Sequence, residues 1–223
     1  MKKQCLFSLV LLAFPLTGFA APSILVEAES FESYGGWFGD TQFMDEMGSP
    51  YLIAHGIGNP VSNAVTIVKC TKAGRYRVWI RTFDWVARWR GKEWPKRKQA
   101  RGEAPGRFSI LIDGKAIEGT FGTIGENWHW HKGPIVKLSK GAFKLELKDL
   151  TGFDGRCDAV LFSQDKETPP PNADPEMRIW RNKLLGLSPD PQNSGTYDLV
   201  VVGGGVAGMC AALQAARLGL EVA

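Results

Sequence analysis

The sequence lacks several features that identify common classes of protein. None of its four cysteines is spaced as Cys-x-x-Cys, which argues against zinc ribbons and thioredoxin-like redox proteins. The formal net charge is +4 and falls to 4 − 2 = +2 without Lys2 and Lys3, which belong to the N-terminal segment discussed next. So small a charge predicts no nucleic-acid partner. In contrast, 44% of the residues are hydrophobic, which excludes a disordered chain and predicts at least one packed core.

Residues 1–20 have the layout of a secretory signal peptide. Two lysines precede an apolar run from Cys5 to about Pro15, and the small residues Gly18 and Ala20 stand at the −3 and −1 positions of a cleavage site. The apolar run is too short for a stable transmembrane helix. We therefore predict an extracytoplasmic protein, periplasmic or secreted, whose mature chain has no membrane span.

In that compartment the sequence allows two states for Cys70 and Cys157. They pair as a disulfide that closes a long loop, or they are two unpaired thiols buried as small hydrophobic side chains. Spacing along the chain does not place their Cα atoms, so the sequence leaves both alternatives open.

Residues 23–165 alternate apolar and polar side chains with a period of two. Each run is short, rich in β-branched or aromatic residues, and bounded by Gly, Pro or Asn, as is typical of strands. Asp113 and Gly114 stand between two such runs and predict a tight hairpin. The pattern predicts a mainly β domain, a jelly-roll β-sandwich of about eight antiparallel strands with one apolar face each. The apolar runs lie near residues 24–28, 65–67, 76–80, 108–112, 136–138, 143–147 and 158–162.

Residues 166–195 change abruptly to a proline-rich, polar composition, which predicts a semi-rigid linker. Within it a short helix is expected over residues 175–186. Met177, Trp180 and Leu184 would form its apolar stripe, and Gly186 would end it.

Residues 196–223 carry the most specific motif. The apolar run at 199–202 predicts a buried parallel strand, and Gly203, Gly205 and Gly208 follow it as Gly-x-Gly-x-x-Gly. An alanine-rich helix is expected next. In a dinucleotide-binding βαβ unit the first glycine permits a tight turn, the second lets the backbone approach a pyrophosphate, and the third allows close packing of helix on strand.

This βαβ unit is expected to be incomplete. The acidic residue that would bind the ribose belongs after the second strand, beyond Ala223, and a single strand and helix cannot bury the apolar run at 199–202 on both faces. We therefore expect the chain to be the front end of a longer protein, with its catalytic residues beyond residue 223, and to be inactive by itself.

Aromatic residues cluster between two predicted strands, at Phe83, Trp85, Trp89 and Trp94, ahead of a basic stretch. One interpretation is a loop that contacts a glycan or covers a neighbouring domain, because indole faces stack on sugar rings and basic groups donate to hydroxyls. The other is that the tryptophans close the open end of the sandwich.

His129 and His131 lie on one face of an extended segment, with tryptophans on the other. Such a pair can begin a metal site, but no third ligand is suggested nearby, so we expect packed or hydrogen-bonded histidines.

Five segments in order resemble the β-sandwich of carbohydrate-binding modules of families 6 and 35. They read ILVEAESF, CTKAGRYRVWIRT, FSILIDGK, KGAFKLELKD and GRCDAVLFSQD. The resemblance implies a possible glycan partner and a structural calcium ion held by Glu27, Glu29 and Asp158. Glu27 and Glu29 fall on one face of the first predicted strand, and carboxylate oxygens suit calcium. The alternative is that these carboxylates are merely solvated.

The whole chain resembles secreted FAD-dependent oxidoreductases of Bacteroidota and related bacteria, in which a carbohydrate-binding-like domain precedes a flavin domain. This resemblance implies FAD as cofactor, with Gly203, Gly205 and Gly208 at its pyrophosphate, and hydride transfer from a substrate to the flavin. The alternative is an accessory carbohydrate-binding module of a polysaccharide-degrading enzyme, such as a lyase or a glycosidase.

Overall fold

The computed structural model describes residues 21–87, 104–188 and 192–223. The chain divides into two compact units, the first extending to Leu185 and the second beginning at Gly186. The predicted signal peptide lies outside the described residues. None of the helices in the described ranges has the length and apolar content that crossing a membrane requires.

Most of the regular elements of the first unit are strands. Those in its described residues are β1 (Ser23–Glu27), β2 (Phe38–Asp40), β3 (Tyr51–His55), β4 (Ala64–Cys70), β5 (Gly74–Thr82), β6 (Phe108–Ile112), β7 (Lys115–Ala116), β8 (His129–Leu138), β9 (Gly141–Asp149), β10 (Phe153–Cys157) and β11 (Ala159–Ser163). Helix α1 (Met44–Met47) is a single turn, and helix α2 (Glu176–Leu185) follows the last strand.

The strands form three antiparallel sheets with the orders β1-β11-β5-β8, β10-β3-β2 and β4-β9-β6-β7. One hydrophobic core takes side chains from all three sheets, including Val160 and Phe162 of β11, Leu52 of β3 and Leu145 of β9. The predicted fold class, a mainly β sandwich of antiparallel strands, is confirmed.

Helix α2 adds a further layer to the sandwich by packing on strand β11. The residues of this strand alternate between the inner core and a second cluster, in which Ala159 and Leu161 pack with Trp180 of α2. Helix α2 thus covers the outer face of the first sheet, and all five residues of β11 are buried. The expectation of one apolar face per strand is wrong for β11, because a strand covered on both faces is apolar throughout.

The hairpin predicted at Asp113 and Gly114 is confirmed. These residues join β6 to β7 with φ values of 50° and 77°, so both adopt the left-handed conformation of a two-residue turn.

The three strands of the second sheet, β2, β3 and β10, were not among the strands predicted from the sequence. Strand β10 carries Gly155 and a register shift after Phe153, and such irregularities hide the period of two.

The proline-rich segment that was predicted as a spacer lies against the sandwich. Pro171 accepts a hydrogen bond from the Trp130 indole at 3.0 Å, and Asn172 donates to the carbonyl oxygen of Trp128 at 2.8 Å. Helix α2 agrees with its predicted bounds and stripe: Met177 is buried and Gly186 has a φ of 69°.

Cys70 and Cys157 are both buried and unpaired, so the free-thiol alternative is the one observed. Burial raises the pKa of Cys157 well above its ordinary value, which makes this thiol unreactive.

The second unit contains helix α3 (Val206–Arg217), followed by Gly219 with a φ of 83°. The segments on either side of α3 run parallel, with a bridge between Leu199 and Val222 and a hydrogen bond from Val201 to Ala223 at 2.7 Å. The helix and the parallel course of its two flanking segments are therefore as predicted. Among the described residues of this unit the two segments form a single isolated bridge and no extended strand, so the strand predicted at 199–202 is not seen, and the Val202 side chain is exposed.

Candidate functional site

The glycine turn ahead of α3 has three positions with different conformational demands. Gly203 has a φ of 108°, a conformation that side chains rarely adopt, so it makes the sharp turn out of the apolar segment. Gly205 is the N-cap residue of α3, with extended φ and ψ of −68° and 171°, and no side chain caps the helix. The first amides of a helix lack partners within it and carry partial positive charge, so this end of α3 suits an anion.

The space around each glycine shows whether packing excludes a side chain there or whether the position is open to a ligand. A Cβ at Gly208 would lie 2.0 Å from the carbonyl oxygen of Gly203, so helix and turn touch there. A Cβ at Gly204 or Gly205 would meet no atom within 4 Å. The absence of a side chain at Gly205 is therefore not required by packing, and it leaves the backbone open to a ligand. This arrangement fits the pyrophosphate of FAD, whose contact with Gly203, Gly205 and Gly208 stays a prediction.

The three carboxylates predicted as calcium ligands converge in the first unit. One oxygen from each of Glu27, Glu29 and Asp158 lies within 4.8 Å of the others. The prediction that Glu27 and Glu29 share one face of the first strand is wrong, because β1 ends at Glu27 and residues 28–30 form a 3-10 turn. The amide of Ala28 donates to the carbonyl oxygen of Asp158 at 2.8 Å, which fixes the start of this turn. Glu29 thus reaches the others from a turn and not from a shared strand face.

These carboxylates do not lie on a solvated face. Glu27 is 8% exposed and Asp158 is 0% exposed, on the outer face of the first sheet beneath α2. The strand register explains how the charged side chains fit on this face. Ala159 pairs with Glu27 on one side and with Arg81 on the other. The small Ala159 side chain leaves space between two charged groups.

Two arginines complete this buried charge cluster, and neither of them was predicted from the sequence. Arg81 donates to Asp158 at 3.1 Å and to the side chain of Asn172 at 3.2 Å. Arg181 of α2 binds both Glu27 and Asp158. A signal for Arg181 was present, because it stands four residues after Met177 on the stripe of α2 that is otherwise apolar.

The electrostatics of the cluster follow from burial. Burial raises the pKa of Glu29 to about 7, and its Oε2 atom is buried without a hydrogen-bond partner. Burial by itself would lower the pKa of Arg181, but the attraction of Asp158 and Glu27 outweighs it and holds this pKa above its ordinary value. Arg181 is therefore a permanent cation among the carboxylates.

The donor set does not fit a calcium ion with Arg181 in place. Calcium takes six to eight oxygen ligands, whereas the carboxylate oxygens of Glu27 and Asp158 already accept hydrogen bonds from the guanidinium. Calcium binding at Glu27, Glu29 and Asp158 stays a prediction, and these hydrogen bonds argue against it.

The aromatic residues before the basic stretch divide between packing and surface. The Phe83 ring is buried with its centroid 4.7 Å from that of Trp128, and Tyr51 joins the same cluster. Trp85 is half-buried, donates to the Phe153 carbonyl oxygen at 3.1 Å, and has the Arg156 guanidinium 5.4 Å from its ring centroid. Phe83 is thus a packing residue, whereas the role of Trp85 as a glycan contact stays a prediction. Trp89 and Trp94 lie outside the described residues.

The histidine pair is packed in the way that was expected. His129 and His131 stack with centroids 6.1 Å apart, and His131 meets the Phe121 ring edge at 5.1 Å. Within residues 21–87, 104–188 and 192–223, the acidic cluster is the one group of three potential metal ligands, so no third ligand joins the histidines.

The chain is similar in architecture to several solved carbohydrate-binding modules. A family 35 module from Clostridium thermocellum has 16% identity and a TM-score of 0.47, over 64% of this chain and 98% of the module. The GH26-CBM35 β-(1,4)-mannanase of Podospora anserina has the same identity and TM-score, over 67% of this chain and 28% of the mannanase. The C-terminal CBM6 of LamC from Zobellia galactanivorans has 15% identity and a TM-score of 0.44, over 64% and 100%.

Among curated protein sequences no match was found. Residues 198–223, which contain the glycine turn and helix α3, match the family model described as an FAD binding domain.

Proposed function

We propose that the chain is the N-terminal part of an exported FAD-dependent oxidoreductase, in which a hydride passes from a carbohydrate-related substrate to FAD. The observation that carries the proposal is the glycine turn before α3. Its position Gly205 is open to a ligand, its position Gly208 is closed by packing, and the segment matches an FAD binding domain. Packing does not require a glycine at position 205, whereas the dinucleotide fingerprint does.

The residues of the turn have distinct tasks in this proposal. Gly203 turns the chain sharply, Gly205 lets the backbone approach the pyrophosphate, and Gly208 holds α3 close to the turn. The first amides of α3 donate to phosphate oxygens, and the positive end of the helix dipole favours their negative charge. When bound, FAD supplies the hydride-accepting ring that no amino-acid side chain provides.

The sandwich has the task of holding a glycan. Trp85 is half-buried, with the buried Arg156 guanidinium beside its ring, and Phe38 and Phe153 are exposed on the sheet that contains Arg156. Rings of this kind pack on the apolar faces of sugars. These rings support a substrate of the carbohydrate class.

Export is proposed from residues 1–20. N-terminal sequencing of the protein recovered from outside the cytoplasm is expected to begin at Ala21. Recovery of the uncleaved chain from the cytoplasm alone would contradict export.

The test of the flavin proposal uses the product of the intact gene. Gly205→Val fills the open position with a side chain whose Cβ meets no atom within 4 Å, and Gly204→Val does the same one residue earlier, at a position that the fingerprint leaves variable. We expect the wild type and Gly204→Val to be purified with the absorbance bands of oxidised flavin, and Gly205→Val to be purified without them. Anaerobic addition of mono- and oligosaccharides from a panel should bleach the bands of the wild type.

Two results would overturn the proposal. Purification of the wild type without flavin, and with no uptake of added FAD, would remove the cofactor. Equal flavin content in Gly205→Val and Gly204→Val would show that position 205 is not at the pyrophosphate.

A further inference from the structure

The Arg181 side chain forms as many hydrogen bonds as a guanidinium has N–H groups. Its Nε donates to Glu27 Oε1 at 3.0 Å, and its Nη2 donates to Glu27 Oε2 and to Asp158 Oδ1, the latter at 3.4 Å. Its Nη1 donates to Asp158 Oδ2 at 3.0 Å and to the carbonyl oxygen of Met47 at 3.3 Å. Five donors thus have five acceptors, at a side chain that is 5% exposed.

The acceptors of these bonds come from different parts of the first unit. Glu27 ends β1, Asp158 stands between β10 and β11, and Met47 ends α1. Arg181 therefore ties α2 to three separate segments at one point. The planar fork of a guanidinium fits a carboxylate with two parallel bonds, as it does at Glu27.

The charges of the cluster balance without any added ion. Glu27 and Asp158 carry two negative charges, and Arg81 and Arg181 carry two positive charges, all on side chains at most 10% exposed. A divalent cation would add two positive charges to a buried site that is already close to neutral, at a large desolvation cost.

We propose that Arg181 is the resident cation of this acidic cluster and takes the place that a divalent metal ion would otherwise fill. The sandwich consequently needs no metal, and the cluster instead recognises the chain's own helix α2. Binding of calcium at Glu27, Glu29 and Asp158 would require Arg181 to leave, and with it the polar anchor of α2. This inference is independent of the flavin proposal, since it concerns residues of the first unit alone.

The test compares calcium dependence in the wild type and in Arg181→Gln, both as the full chain. Arg178→Gln is the matched control, because Arg178 lies on the same helix but is 67% exposed, with an ion pair to Asp174 at 3.9 Å. Thermal unfolding is followed by tryptophan fluorescence in excess EDTA and in millimolar CaCl2, and calcium binding is measured by isothermal titration calorimetry.

We expect the unfolding temperature of the wild type and of Arg178→Gln to be the same in EDTA and in CaCl2, with no calcium heat. Arg181→Gln should unfold on the order of 10 °C lower in EDTA, because two buried carboxylates lose their counter-charge. Calcium should restore part of this loss, with a binding heat that the wild type lacks.

Several results would overturn the proposal. Stoichiometric calcium binding by the wild type, or an unfolding temperature that falls in EDTA, would show that a metal ion is resident. A folded Arg181→Gln that matches Arg178→Gln in stability, or that gains no calcium affinity, would show that Arg181 does not stand in a cation site. If Arg181→Gln does not fold, the wild-type measurements decide by themselves.

Discussion

Gly208 and Gly203 meet so closely that no side chain fits between them. A Cβ on Gly208 would lie 2.0 Å from the carbonyl oxygen of Gly203 and 3.2 Å from the Val201 side chain. The contact joins the first turn of α3 to the end of the apolar segment that precedes it. It is the structural reason for the third glycine of the motif, and it does not depend on a ligand.

Gly208→Ala should therefore destabilise the strand-helix contact even without flavin. The added methyl group forces the helix away from the turn, at a cost of about 1–3 kcal/mol. Hydrogen exchange of the amides in residues 198–223 should become faster. Gly204→Ala is the control, because its Cβ meets no atom within 4 Å, and its exchange should match the wild type. Equal exchange in both variants would contradict the packing role of Gly208.

A buried carboxylate in the first unit gives a second prediction. Asp149 is 2% exposed and accepts backbone hydrogen bonds from Val61 at 2.9 Å, Thr151 at 3.1 Å and Gly152 at 2.9 Å. Asp149→Asn removes the charge and places an N–H group against these donors, so the free energy of unfolding should fall by about 2 kcal/mol. Denaturant unfolding measures this change.

The control for Asp149 is Asp165. Asp165 also accepts two backbone hydrogen bonds, from Glu167 and Thr168, but it is exposed to water. Asp165→Asn should cost clearly less, because water replaces the lost interactions. An equal loss in the two variants would mean that burial does not set the strength of the Asp149 contacts.

The third prediction concerns pH. Burial, with a smaller effect from His129, lowers the pKa of His131 below its usual value of 6.5. As the pH falls below 6.5, the unfolded chain takes up a proton at this histidine before the folded chain does, so His131 makes the fold less stable. Glu29, with its pKa raised to about 7, acts in the opposite sense between pH 4.5 and 7.

His131→Gln separates these two effects, because Glu29 is unchanged by it. The variant lacks the loss of stability that His131 causes at acid pH, so its free energy of unfolding relative to that of the wild type should be higher at pH 5.5 than at pH 7. Denaturant titrations at several pH values measure this difference. An equal difference at both pH values would show that His131 is not held in its neutral form.

Local patterns were sufficient to predict the parts of this chain that local interactions determine. The hairpin at Asp113 and Gly114 and the turn at Gly203 both follow from left-handed backbone conformations, which few residues adopt. Helix α2 was predicted from the spacing of its apolar residues. In each case the structure depends on residues a few positions apart.

The charge cluster depends on residues that are far apart in the chain, and it was predicted only in part. Glu27 and Asp158 were selected by resemblance, but their partner Arg181 is 154 residues from Glu27. Spacing along the chain holds no information on such a contact. The pattern also suggested that β1 continues to Glu29, whereas a backbone bond from Ala28 to Asp158 starts a turn there.

Trp85 provides the fourth prediction, which tests the glycan proposal directly. Its ring is half-buried beside Arg156, and its indole N–H is used by the Phe153 carbonyl oxygen, so only the ring face is left for a sugar. Trp85→Ala removes the ring, whereas Trp85→Phe keeps an aromatic face and loses the hydrogen bond. Both variants should be checked for an unchanged unfolding temperature.

On a glycan array, any oligosaccharide retained by the wild type should bind Trp85→Ala at least about tenfold more weakly, a loss of roughly 1.4 kcal/mol. Trp85→Phe should keep most of the affinity, because stacking requires a ring and not an indole N–H. Unchanged binding by a folded Trp85→Ala would place Trp85 with Phe83 among the packing residues. Equal losses in both variants would instead assign the effect to the hydrogen bond with Phe153, and the aromatic face would have no part in recognition.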